Sequence, residues 1–254
     1  MNYFNPTVFS RLKEATRVSH TGVRHGFCDE VFLPEVYEQL MKDFPNPQLY
    51  LHFDKKNSGG GHKRFYAEPG FIAEKHGDSA YHLRHLPAVW KNLLNEVSSP
   101  DFLKTLSDAI GVETNSICSL GFAYGEKGSI MEAHIDGAIR EGTLLRMKSN
   151  VAFLLYFNEN SDPVSATELY DLDRKTILAK GTTMRNSWFF FEQHPNSWHG
   201  FPEVVGNHTR RVVSLSFSIV EHPIIPQWSF LSRVKLLIRN FFYRIHKRYQ
   251  VSHK

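Results

Sequence analysis

Cysteine is nearly missing from this chain of 254 residues, where Cys28 and Cys118 are the two present. They form no Cys-x-x-Cys, which argues against a thiolate metal site and a disulfide framework and fits a reducing compartment. Also missing is any apolar run near the roughly 20 residues that a membrane-spanning helix needs. The opening Met-Asn-Tyr-Phe-Asn-Pro has neither a basic nor an apolar leader region, so a cytoplasmic location is expected. The glycine-rich stretch at 57–62 lacks the Gly-Lys-Ser/Thr ending of a phosphate-binding loop, which argues against nucleotide binding. Acidic residues are absent from 226–254, a tail that holds Arg233, Lys235, Arg239, Arg244, Lys247, Arg248 and Lys254. That tail carries +7 in a chain of net +4, so the preceding residues sum to −3. The pI near 9.0 therefore belongs to the tail, and no nucleic-acid-binding face is expected on the main domain.

What is present points to a packed sheet. Aromatic residues make up 13% of the chain, with twenty Phe, and 41% of it is hydrophobic. Residues 1–115 read mostly as helices with loops. Pro34 opens one helix, with Leu33, Val36, Tyr37, Leu40, Met41 and Phe44 at helical spacing, and Pro87 opens a second. In the third, Ser99 is the N-cap, Pro100 takes the first turn, and Gly111 is the stop. From 116 onward, short runs rich in Val, Ile, Phe and Tyr read as strands at 116–124, 130–135, 150–157, 176–179, 187–191 and 211–220. Many short strands without helical crossovers indicate a sandwich or barrel. The expected division is a helical support region at 1–115, a β core at 116–225 and a basic tail at 226–254. The tail places Phe230, Val234, Leu237, Ile238, Phe241, Phe242, Ile245 and Tyr249 on one helical face. Two readings stand for it: peripheral contact with an anionic membrane (the inner face, for a cytoplasmic protein), or packing on the domain.

The chemistry centres on His134-Ile135-Asp136. With fourteen His, a His-x-Asp triplet is cheap, and His52-Phe53-Asp54 and His76-Gly77-Asp78 are two more. A mononuclear Fe(II) site needs two imidazoles and a carboxylate on one face of the metal. Residues i and i+2 of a strand point the same way, so His134 and Asp136 at a strand end can supply two ligands together. His199, 63 residues after Asp136, is the candidate third ligand. Arg210 or Arg211 can then grip a carboxylate with two parallel hydrogen bonds. Alternation along this strand groups Arg210 with Val212, Ser214 and Ser216, a small and partly polar face suited to a cavity. Arg211 goes with Val213, Leu215 and Phe217, which looks like packing surface. Arg210 is the preferred clamp and Arg211 its rival.

These residues resemble the 2-oxoglutarate- and Fe(II)-dependent oxygenases, whose signature is His-x-Asp…His followed by a basic residue about ten positions on. The local texture is most similar to the prolyl-hydroxylase-like branch. The resemblance covers roughly 118–220 and implies a mainly β fold with α: a double-stranded β-helix (jelly roll) core with N-terminal supporting helices and a C-terminal amphipathic helix. It implies Fe(II) on His134, Asp136 and His199, with O2 and 2-oxoglutarate as co-substrates. Tyr124 and Tyr156 fall where the branch has tyrosines that reach 2-oxoglutarate. Ala166-Thr167-Glu168-Leu169 departs from the family's Gly-Gly motif, and Arg210 stands 11 residues past His199. The implied reaction converts 2-oxoglutarate to succinate and CO2 while hydroxylating an unactivated C–H bond. The segment 137–149, with Arg140 and Arg146, lies where the family often covers its substrate. An anionic or lipid-linked small molecule is therefore the expected substrate, and a protein prolyl side chain the alternative. A non-enzymatic jelly-roll binding protein is the remaining rival, and a three-His cupin is disfavoured by Asp136 and the arginine.

Overall fold

The computed structural model describes residues 2–45, 51–53, 62–66, 86–136, 147–206 and 208–220. In chain order the elements are α1 (Val8–Ala15), β1 (Arg17–Val18), β2 (Arg24–Cys28), α2 (Pro34–Lys42), β3 (Leu51–Phe53) and β4 (His62–Tyr66). Then come α3 (Ala88–Val97), α4 (Pro100–Ile110), β5 (Ser116–Gly125), β6 (Met131–His134) and β7 (Met147–Phe157). The last are β8 (Glu168–Tyr170), β9 (Ile177–Lys180), β10 (Arg185–Glu192), β11 (His199–Phe201) and β12 (Arg210–Val220).

Among the described residues these strands form two antiparallel sheets. The larger runs β1-β2-β10-β7-β12-β5-β4-β3 and the smaller β6-β11-β8-β9. Strand alternation builds a core on each side of the larger sheet. On β10, Trp188 and Phe190 point to the helices, where Phe4, Trp90, Phe102 and Leu106 meet Phe153, Phe157, Leu215 and Phe217. Phe189 and Phe191 point the other way and join Tyr156 and Val212 against Leu169 of the smaller sheet. This is a mainly β, jelly-roll-like sandwich with helices on one outer face.

The helices form where punctuation and periodicity agree. The Ser99 hydroxyl accepts the Phe102 N–H at 3.3 Å, Pro100 occupies the first turn, and Gly111 closes α4 at φ 67°. Replacing Ser99 with Ala should cost about 1 kcal/mol in urea unfolding, since it orphans that N–H.

The N-terminal region is not helical throughout. β2 pairs with β10, and β4 pairs with β5, so strands from this region extend the core sheet on both sides. β8 and β11 escaped the periodicity reading because three residues are too few to show a period. Among the described residues no helix is long and apolar enough to cross a membrane. The tail at 226–254 and its amphipathic face lie outside the described residues, as do Asp54 and all of His76-Gly77-Asp78.

Candidate metal centre

β11 lies between β6 and β8, and its pairing brings the Cα of His199 opposite that of His134. The two imidazoles thus come from neighbouring strands, with ring centroids 4.3 Å apart. His199 is the first residue of β11. Gly200 makes the close pairing possible, because a Cβ there would collide with the Met131 carbonyl oxygen and stand 3.0 Å from that of Glu132. Gly200→Ala should push β11 away from β6, costing about 1–3 kcal/mol in thermal or denaturant unfolding, and should weaken metal binding with it.

Each histidine is oriented by its own chain. His134 Nδ1 donates to the Glu132 carbonyl at 2.9 Å, and His199 Nδ1 to that of Ser197 at 2.9 Å. A carbonyl can only accept, so both Nδ1 atoms carry a proton, which leaves each Nε2 either to donate a second proton to Asp136 in the metal-free protein or, without that proton, to offer its lone pair to a metal. Those Nε2 atoms stand 3.5 Å from Asp136, His134 at Oδ1 and His199 at Oδ2. Burial pushes the Asp136 carboxyl up, but hydrogen bonds and charge from His134 and His199 outweigh it and hold the group well below the usual carboxylate range. One ligand atom from each residue lies within 4.8 Å of the others. Two imidazoles that can offer Nε2 lone pairs and one ionised carboxylate form a donor set that fits Fe(II). The Phe191 ring packs on His199 with centroids 4.4 Å apart, and Gln193 Nε2 donates to Asp136 Oδ2 at 3.0 Å.

A cavity of about 110 Å³ joins this triad to Arg210. Gly121, Ala123, Ala152 and Ser214 leave its wall on the larger sheet thin, while Leu154, Val212 and Phe191 make it apolar. Arg210 is 5% exposed. Its Nε donates to the Ser165 carbonyl at 2.9 Å and its Nη2 to Thr167 Oγ1 at 2.8 Å. The guanidinium carbon lies 3.9 Å from the centre of the Phe201 ring. Arg211 points away from the cavity and pairs with Glu159 at 3.1 Å.

The tyrosines separate. Tyr156 is fully buried on the cavity side of β7, and its hydroxyl oxygen accepts the Thr167 N–H at 2.9 Å. Burial pushes that hydroxyl's pKa up, opposed by the nearby Arg210 charge. Tyr124 corrects the sequence expectation: Ala123 takes the cavity face of β5, so Tyr124 packs on the helix side of the sheet. Arg140 and Arg146 lie outside the described residues. Sequence reading missed Thr167, Phe201 and Gln193. Phe201 had a local signal, standing two residues from His199, whereas Thr167 and Gln193 had none.

No family model matches the sequence, and no curated protein matches it either. Solved structures do. A prolyl-4-hydroxylase of Pseudomonas putida superposes with a TM-score of 0.56 at 12% identity, covering 84% of this chain and 100% of that one. A 2OG-Fe(II) oxygenase family protein of Burkholderia pseudomallei gives 0.56 at 10% identity, covering 85% and 93%. This chain has the fold of the 2-oxoglutarate-Fe(II) oxygenases. A viral collagen prolyl hydroxylase of Paramecium Bursaria Chlorella virus-1, solved as a 2OG complex, gives 0.50 at 12% identity over 77% of this chain and 96% of that one.

Proposed function

We propose that the chain is a 2-oxoglutarate- and Fe(II)-dependent dioxygenase that hydroxylates an unactivated C–H bond of a small molecule. The observation that carries this reading is the pairing of the His134, Asp136 and His199 triad with a buried arginine across one cavity. A metal bound there would supply the binding and activation of O2 and of the 2-oxo acid's keto end. His134 and His199 would ligate through Nε2 and Asp136 through a carboxylate oxygen.

The remaining work falls to side chains of this chain. Arg210 binds the distal carboxylate of 2-oxoglutarate, its guanidinium plane fixed by Phe201 and by the Thr167 hydroxyl. Tyr156 braces Thr167 from beneath, so its part is to hold the arginine's partner in place. Leu154, Val212 and Phe191 keep water out of the slot, which strengthens the ion pair between carboxylate and guanidinium.

Anaerobic titration with Fe(II) and 2-oxoglutarate tests the assignment: a visible charge-transfer band is the expected result, and its absence would favour a non-enzymatic binding protein. Arg140 and Arg146 are proposed to face an anionic substrate. A screen that reports succinate, run with anionic small molecules, lipid-linked molecules and prolyl peptides, identifies the class. Succinate formation coupled to the peptides alone would replace the small-molecule reading with a prolyl one. For the tail we propose peripheral contact with anionic membrane, and co-sedimentation with phosphatidylserine vesicles with and without 226–254 measures it.

A further inference from the structure

The metal triad is supported unevenly. His134 and His199 lie on paired strands, and each has its Nδ1 tied to a carbonyl. Asp136 lies two residues beyond the end of β6, outside any strand, with its side chain 47% exposed. Its two oxygens are placed alike, each 3.5 Å from one imidazole. A carboxylate so placed could ligate through either oxygen or through both, because its last torsion is soft.

One side chain breaks that symmetry. Gln193 directly follows β10 in the larger sheet, and its amide donates to Oδ2 at 3.0 Å. Two residues earlier Phe191 packs on the His199 ring, so the end of this one strand supports two of the three ligands from the opposite sheet. We infer that Gln193 is a positioning residue for the metal centre: by occupying Oδ2 it leaves Oδ1 as the ligating atom and keeps Asp136 a one-oxygen ligand. This rests on reading the triad as a metal site. A one-oxygen carboxylate leaves one more coordination position open than a two-oxygen one, and the proposed chemistry uses those open positions. Hydrogen-bond partners of ligands act in this way on metal affinity and geometry.

Co(II) titration of the full chain, followed by visible absorption, tests the inference. Gln193→Leu and Gln193→Met both remove the donor, and the unbranched Met nearly matches the length of Gln, so the fold has little reason to change. Both variants should bind Co(II) about 10-fold or more weakly than the parent chain. The intensity of the Co(II) bands should also change with the coordination number, while the metal-free proteins unfold at the same temperature. A purely structural role would not move that spectrum. Parental affinity and spectrum in both variants would overturn the inference and leave the triad assignment standing. If the parent chain bound no Co(II), or bound it undiminished in Asp136→Ala, both would fall.

Discussion

Asp136→Ala is expected to bind no Fe(II) at concentrations that saturate the parent chain and to turn over no 2-oxoglutarate. The substitution removes the triad's one anionic donor and leaves two neutral imidazoles, too few to hold a labile divalent ion against water. Loss of a ligand's outer partner alone costs about 10–100-fold in affinity, so loss of the ligand itself should cost more than about 100-fold. The fold should survive, because Asp136 stands beyond the end of β6 with its side chain half-exposed and takes no part in either core cluster. Anaerobic Fe(II) titration and succinate assay, with circular dichroism to verify folding, check this. Full turnover in the variant would end the iron assignment.

The second large effect separates two adjacent arginines. Arg210→Leu should raise the 2-oxoglutarate dissociation constant by about 30-fold or more, as truncating one partner of a buried, hydrogen-bonded charge pair costs about 2–5 kcal/mol. It should also destabilise the fold by about 1–3 kcal/mol, since the Ser165 carbonyl and the Thr167 hydroxyl lose a buried donor. Arg210→Lys keeps the charge but loses the planar fork, and should recover only part of the affinity. Arg211→Leu should leave 2-oxoglutarate affinity unchanged. Its pairing with Glu159 is a surface ion pair, worth at most about 1 kcal/mol. Titrations of 2-oxoglutarate on the Fe(II)-loaded variants read out both arms. A loss of affinity in Arg211→Leu with none in Arg210→Leu would reverse the clamp assignment.

How much of this was legible beforehand follows from the range of the interactions involved. The cap, first-turn proline and stop glycine of α4 act within one helical turn, and the structure keeps all three. Alternation on β12 is equally local. It put Arg210, Val212 and Ser214 on one side and Val213, Leu215 and Phe217 on the other, and the cavity and the helix-side core divide along that line. On β5 alternation sets Ala123 and Tyr124 on opposite faces, and the structure decides which face is which: Ala123 lines the cavity and Tyr124 packs on the helix side.

From its sequence alone the chain shows which residue types can bind a metal and a carboxylate, and on which strand faces they stand. Side-chain direction along a strand depends on neighbours one and two residues away. Pairing depends on partners far along the chain, and so only the tertiary structure decides it. The register of β11 on β6 sets His199 across from His134, and the meeting of two sheets brings Gln193 to Asp136 over 57 residues. The pairing of β2 and β4 with the core sheet is of the same kind. Each of these depends on hydrogen-bond registers and apolar packing summed over the whole sandwich, which no short window of residues contains.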